Sequence, residues 1–92
     1  MTARTVTVVN QLGMHARAAA KFVHLASQFQ SRITVARQSR DMDGKSIMGL
    51  LLLAAAFGTS ITVSADGPDE VAAVDALVDL VSTGFGEGTW NA

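Results

Sequence analysis

Ser60-Ile61-Thr62-Val63-Ser64-Ala65 alternates polar and apolar residues without a break, and Asp66-Gly67-Pro68-Asp69 follows it directly. A period of two puts Ile61, Val63 and Ala65 on one face, the pattern of a half-buried strand. The Asp-Gly-Pro-Asp run is turn chemistry, because its residues either tolerate unusual backbone angles or bond their own backbone. Beyond it, Val71, Val74, Leu77, Val78 and Val81 recur at helical spacing. That predicts a helix starting at Pro68 or Asp69, running to Ser82 and stopped by Gly84.

Working back towards the N-terminus, Ser46 has the character of an N-cap for a short helix from 47 to about 53. Covered on one side, that helix would bury Ile47, Leu50, Leu51 and Leu53. Arg32-Ile33-Thr34-Val35-Ala36-Arg37 alternates and reads as a strand, and residues 38–44 as a turn or a short returning strand. Upstream, Ala18, Phe22, Leu25, Ala26 and Phe29 form an apolar stripe, while Arg17, Lys21, His24 and Gln28 form a polar one. This is an amphipathic helix from 16 to about 29. Thr5-Val6-Thr7-Val8-Val9 is a further strand, joined to the helix by a turn over 10–14 in which Gly13 supplies backbone freedom. Strands with one wet face need amphipathic helices on the other. The expected fold is α+β: an open-faced β-sandwich with a four-stranded antiparallel sheet and three helices packed on one face.

Ninety-two residues with 49% hydrophobic and 16% charged residues fit one ordered domain. Its core is expected over about 3–87, with a flexible C-terminal tail over 86–92. The absence of cysteine excludes disulfides and thiolate chemistry. No signal peptide is evident, since Met1-Thr2-Ala3-Arg4-Thr5 leads straight into a strand. The apolar run 47–57 is far short of the ~20 residues that span a bilayer. A cytoplasmic monomer without membrane insertion is expected. Net charge is −1, yet residues 1–40 carry +6 and residues 41–92 carry −7. Such asymmetry either steers partners or reflects ordinary surface charge. A pI near 6.0 and one Trp argue against a nucleic-acid partner.

Gly13-Met14-His15-Ala16-Arg17 is the segment with chemistry in it. A histidine where a turn meets a helix start lies beside unpaired backbone N–H groups and the positive end of the helix dipole. Arg17, two residues on, can grip the same anion with its planar fork. Imidazole is a nucleophile at neutral pH, and a ring nitrogen is a good leaving group for a phosphoryl unit. The backbone N–H groups of Ala16, Arg17 and Ala18 are the candidate phosphate donors. His24 lies nine residues after His15, on the opposite side of the helix, so the two cannot share a metal; it reads as surface. No metal site and no cofactor are expected. Gly84, Gly86 and Gly88 precede no helix and are not a dinucleotide fingerprint.

Residues 13–17 followed by Ala18-Ala19 resemble the active-site motif of the HPr family, the histidine-containing phosphocarriers of the bacterial phosphotransferase system. Lys45-Ser46-Ile47-Met48-Gly49-Leu50 resembles that family's second signature at the matching distance, and the likeness extends over about residues 3–87. The resemblance implies a phosphoryl carrier and not an autonomous enzyme. His15 would become a pros-phosphohistidine by transfer from enzyme I, charged in turn by phosphoenolpyruvate, and would pass the group to an enzyme IIA-type acceptor. Arg17 would assist. Ser46 would be a regulatory phosphorylation site for an HPr kinase/phosphorylase where one exists. Ile47, Met48, Leu51 and Lys21 would form a docking patch, although Met48 also reads as core.

Ala18 stands where the family usually has proline. Alanine is an excellent helix former and restores a backbone N–H that can face the phosphate. Ser82-Thr83-Gly84-Phe85 resembles the nitrogen-related branch of the family, and Lys45-Ser46-Ile47-Met48-Gly49 the sugar-transport branch. The alternative function class is a small-molecule-sensing or non-catalytic interaction module on the same sandwich. It would give His15 and Arg17 no special task.

Overall fold

The computed structural model describes residues 1–88. Strand β4 (Ser60–Asp66) is central, with β1 (Thr2–Thr7) antiparallel on one side and β2 (Arg32–Arg37) antiparallel on the other. The short β3 (Arg40–Asp43) returns along β2 and forms the edge, giving the order β1-β4-β2-β3. Register follows the apolar alternation. Val35 lies opposite Val63 and Ile33 opposite Ala65, and all four are buried. A slip of one residue would turn that row to solvent, so the buried face fixes the pairing.

Helices α1 (Ala16–Ala26), α2 (Ile47–Leu53) and α3 (Glu70–Ser82) cover this face. Helix α3 lies along β1 and β4, α2 along β3 and β2, and α1 packs against both helices. The core joins Ala18, Ala19, Phe22 and Ala26 of α1 to Leu50 and Leu53 of α2 and Val74, Leu77 and Val81 of α3. The open-faced α+β sandwich expected from the alternation is the fold observed.

Several boundaries and faces differ from the sequence expectation. The first strand is Thr2–Thr7 and not 5–9, because β4 offers partners only from Ser60 to Ala65. Val8 is nonetheless buried, and its backbone bonds the turn at Gly58 and Thr59. Helix α1 stops at Ala26, three residues before Phe29, and tightens into i→i+3 bonds from Gln28 and Phe29. The chain then turns onto Asp69, whose carboxylate accepts from the backbone N–H of Gln30 and Ser31 and from the Ser31 hydroxyl. These bonds hold the Asp69 carboxyl below the usual carboxylate pKa. With that side chain committed, α3 starts at Glu70 and receives no side-chain cap.

Helix α2 buries Leu50 and Leu53 but leaves Ile47 and Leu51 exposed, at 43% and 37%. Seven residues make two turns, which present only one narrow stripe to the core. Val71 is also exposed, in the first turn of α3, where Glu70 is tied to Thr2 at the end of the sheet.

Phe85, past the helix stop at Gly84 but inside the core span expected over 3–87, is fully buried in a short 3-10 turn, Gly84–Gly86, packed against α3 and α1. The tail expected from 86 therefore begins inside this turn, and Glu87 folds back onto the body of the domain. Residues 89–92 of that tail lie outside the described residues.

Candidate functional site

His15 is the N-cap of α1, in extended backbone, with no side-chain cap bond. The loop before it fixes its position. Gly13 has φ +63°, and a Cβ there would stand 2.5 Å from the Ala55 carbonyl oxygen, so only glycine fits. The next residue, Met14, donates its N–H to that oxygen and buries its side chain in the core. Asn10, also buried, donates from Nδ2 to the Gly13 carbonyl at 2.8 Å. Buried anchors on the residues before it thus hold the His15 ring at the surface, its side chain 25% exposed.

The backbone N–H groups of Ala16, Arg17 and Ala18 have no acceptor among the described residues; the first helical bond is Ala19 N–H to the His15 carbonyl. Ala16 and Arg17 are exposed, so their amides, with the positive end of the dipole, are open to an anion, whereas Ala18, also expected as a phosphate donor, is fully buried. Arg17 is exposed and makes no hydrogen bond or ion pair among the described residues, so its guanidinium is uncommitted.

One participant was absent from the sequence expectation. Glu87 Oε2 lies 2.5 Å from His15 Nε2, and Glu87 Oε1 accepts from Asn10 Nδ2 at 3.1 Å. Burial alone would raise the pKa of the Glu87 carboxyl. The bonds from His15 and Asn10 and the charges of His15 and Lys21 outweigh burial and hold it below the usual value. Lys21, expected in a docking patch, donates from Nζ to the Phe85 carbonyl at 2.7 Å and so pins the turn that carries Glu87. Seventy-two residues separate Glu87 from His15, so no local spacing could have joined them. The available signal was Phe85, a bulky apolar residue between two glycines, which had to be buried somewhere.

On α2, Ser46 caps the helix as expected, its Oγ accepting from the Gly49 N–H at 3.0 Å. Ile47, Met48 and Leu51 are exposed together with Leu52, which places Met48 on the surface at 66% exposure rather than in the core. Because α2 packs on α1, this apolar surface and the His15 helix belong to one side of the domain. His24 is exposed, as expected. Among the described residues no cluster of three or more His, Cys, Asp or Glu side chains could hold a metal ion.

These features define a small α+β anion-handling domain built around one histidine. The family described as PTS HPr component phosphorylation site matches residues 2–83. Phosphocarrier protein HPr of Cupriavidus necator is 49% identical over 88 residues, covering 96% of this chain and 99% of that protein. Its counterpart from Neisseria meningitidis serogroup B is also 49% identical, with the same coverage. The crystal structure of HPr-C-His from Thermoanaerobacter tengcongensis superposes with a TM-score of 0.91 at 44% identity, covering 95% of this chain and 98% of that one. The chain belongs to the HPr family, whose members are phosphocarriers of the phosphotransferase system and not enzymes. Among the described residues no helix is long and apolar enough to cross a membrane.

Proposed function

We propose that His15 is the phosphoryl acceptor, charged by phosphorylated enzyme I and discharged to an enzyme IIA-type protein. The observation that carries this is the partly exposed His15 ring beside helix-start amides that are unpaired among the described residues and an uncommitted arginine. A dianionic phosphoryl group on the ring would meet N–H donors, the helix dipole and a guanidinium without being buried. It would be held and remain transferable. The protein acts as a cytoplasmic monomer, and the exposed Ile47, Met48, Leu51 and Leu52 are the surface on which its partners dock. Incubation with phosphoenolpyruvate and enzyme I, followed by intact mass, tests the reading. One acid-labile phosphoryl group per chain is expected, and no uptake would leave the domain as an interaction module.

Arg17→Ala should slow transfer with little effect on folding. A hydrogen bond to a charged group contributes about 1.5–3 kcal/mol, which corresponds to roughly 10–100-fold in rate. An exposed side chain without partners contributes within about 0.5 kcal/mol to stability. Stopped-flow transfer from enzyme I and a thermal melt measure the two effects. Equal transfer rates would remove Arg17 from the site.

Ser46 is proposed as the regulatory site of an HPr kinase/phosphorylase. Aspartate caps a helix about as well as serine, so Ser46→Asp should leave the melting temperature unchanged or slightly raised. A phosphate adds about −1.5 to −2 charges beside Ile47 and Met48. A partner that buries that apolar surface must then desolvate the charge, and binding to enzyme I should weaken about tenfold. Identical affinities for wild type and Ser46→Asp would leave Ser46 as a cap alone.

A further inference from the structure

We propose that Glu87 is a positioning residue for phosphoryl transfer, fixing the His15 ring with its proton on Nε2 so that Nδ1 presents its lone pair. The proposal rests on the reading of His15 as the acceptor and goes beyond it, to what aims the ring. The geometry is specific. Glu87 Oε2 meets His15 Nε2 at 2.5 Å, and a carboxylate can only accept there, so Nε2 carries the proton. The other carboxylate oxygen is tied to Asn10 Nδ2, the same amide that braces the Gly13 carbonyl. Asn10 is fully buried, and its Oδ1 has no partner among the described residues. Its place in the interior is therefore tied to what its amide nitrogen does, which is to link the His15 loop to Glu87.

The segment that delivers Glu87 is built for the task. Gly84, Phe85 and Gly86 all take positive φ, at 71°, 56° and 81°, bending the chain back sharply after α3. Phe85 is sealed in the core, and Lys21 holds its carbonyl from α1, the helix that His15 caps. Loop, helix and C-terminal turn thus converge on one imidazole.

The consequence for the reaction follows from the ring nitrogens. The Nδ1 lone pair forms the bond to phosphorus, while the bond from phosphorus to the donor breaks and its electron pair leaves with the donor. The Nε2 proton stays, so the ring becomes positively charged and faces the Glu87 carboxylate. In onward transfer the acceptor attacks phosphorus, and the N–P electron pair returns to Nδ1. Because Nε2 has kept its proton, the ring departs as neutral imidazole, a far better leaving group than the anion. The phosphoryl group and Glu87 occupy opposite edges of the ring and do not compete for it.

The test uses the full chain and three variants. Glu87→Gln keeps an acceptor but loses the charge, Glu87→Ala loses both, and Glu87→Asp restores the charge on a shorter arm. Labelling of His15 by phosphoenolpyruvate and enzyme I should slow about tenfold in Glu87→Ala, less in Glu87→Gln, and be partly rescued in Glu87→Asp. Ring nitrogen NMR supplies a readout that a purely structural role would not move. In Glu87→Ala the Nδ1 and Nε2 signals of His15 should shift towards those of the exposed His24, which serves as an internal reference. Unchanged rates and unchanged ring signals in Glu87→Ala would overturn the proposal, and faster labelling would do so too, by making Glu87 an obstruction. If the wild type took up no phosphoryl group, the acceptor reading would fall and this one with it. Normal wild-type labelling with indifferent variants would remove Glu87 alone.

Discussion

His15→Ala is expected to abolish phosphoryl uptake while the domain stays folded. The ring is partly exposed and gives no capping bond to α1, so the helix start does not depend on it. What the fold loses is the hydrogen bond to Glu87, and a single hydrogen bond between partly exposed groups typically contributes about 1 kcal/mol. The loop keeps its own anchors, with Met14 in the core, Asn10 beneath it and Gly13 against Ala55. The chemistry loses everything, because neither the amides of residues 16–18 nor Arg17 carries a nucleophile. Intact mass after incubation with phosphoenolpyruvate and enzyme I should show no acid-labile phosphoryl group, and circular dichroism should superimpose on wild type. His24→Ala is the control, since His24 is exposed on the same helix without the helix start beside it, and it should label normally. Undiminished labelling of His15→Ala would move the acceptor elsewhere.

How far such a site can be read from sequence depends on the range of the interactions that build it. The alternation of residues 60–65 gave a strand whose register is then forced by burial. The Ser46 cap is a contact over three residues, and the His15 helix start is a neighbour relation along the chain. Both were legible for that reason. Ile47 and Leu51 show the first limit: their apolar character was plain, but which of six apolar residues on a two-turn helix face inward is decided by where β3 and α1 stand. The charge asymmetry shows the second. Part of it is pairing within the fold, with Arg4 on Asp75, and that pair leaves no trace in local spacing. Glu87 itself lay in a glycine-rich stretch that reads as tail, and only the burial of Phe85 turns that stretch back towards His15.

Phe85→Ala is therefore expected to damage stability and site together. Phe85 is fully buried in a turn packed against α3 and α1, and truncating a buried phenylalanine to alanine costs about 3–5 kcal/mol. The native turn also holds a non-glycine residue in left-handed backbone, a conformation costing on the order of 1 kcal/mol. Alanine inherits that cost without the aromatic packing that offsets it. Because the turn follows the last helix, the chain can relax by peeling away from Gly84 onwards rather than collapsing around a void. That route places the loss near the lower end, at about 3 kcal/mol, or a fall in melting temperature of roughly 12–24 °C for a domain of this size. Peeling would also release the Phe85 carbonyl from Lys21 and withdraw Glu87 from His15. Labelling of His15 should then slow as it does in Glu87→Ala but not vanish, since the His15 loop is braced independently by Gly13 and Met14. Urea unfolding gives the stability change, and hydrogen exchange at Lys21 and residues 84–87 shows whether the turn has left the body. A loss below about 1 kcal/mol would mean that Phe85 contributes little to the core. A large loss with unchanged ring nitrogen signals at His15 would separate the turn's structural role from its delivery of Glu87.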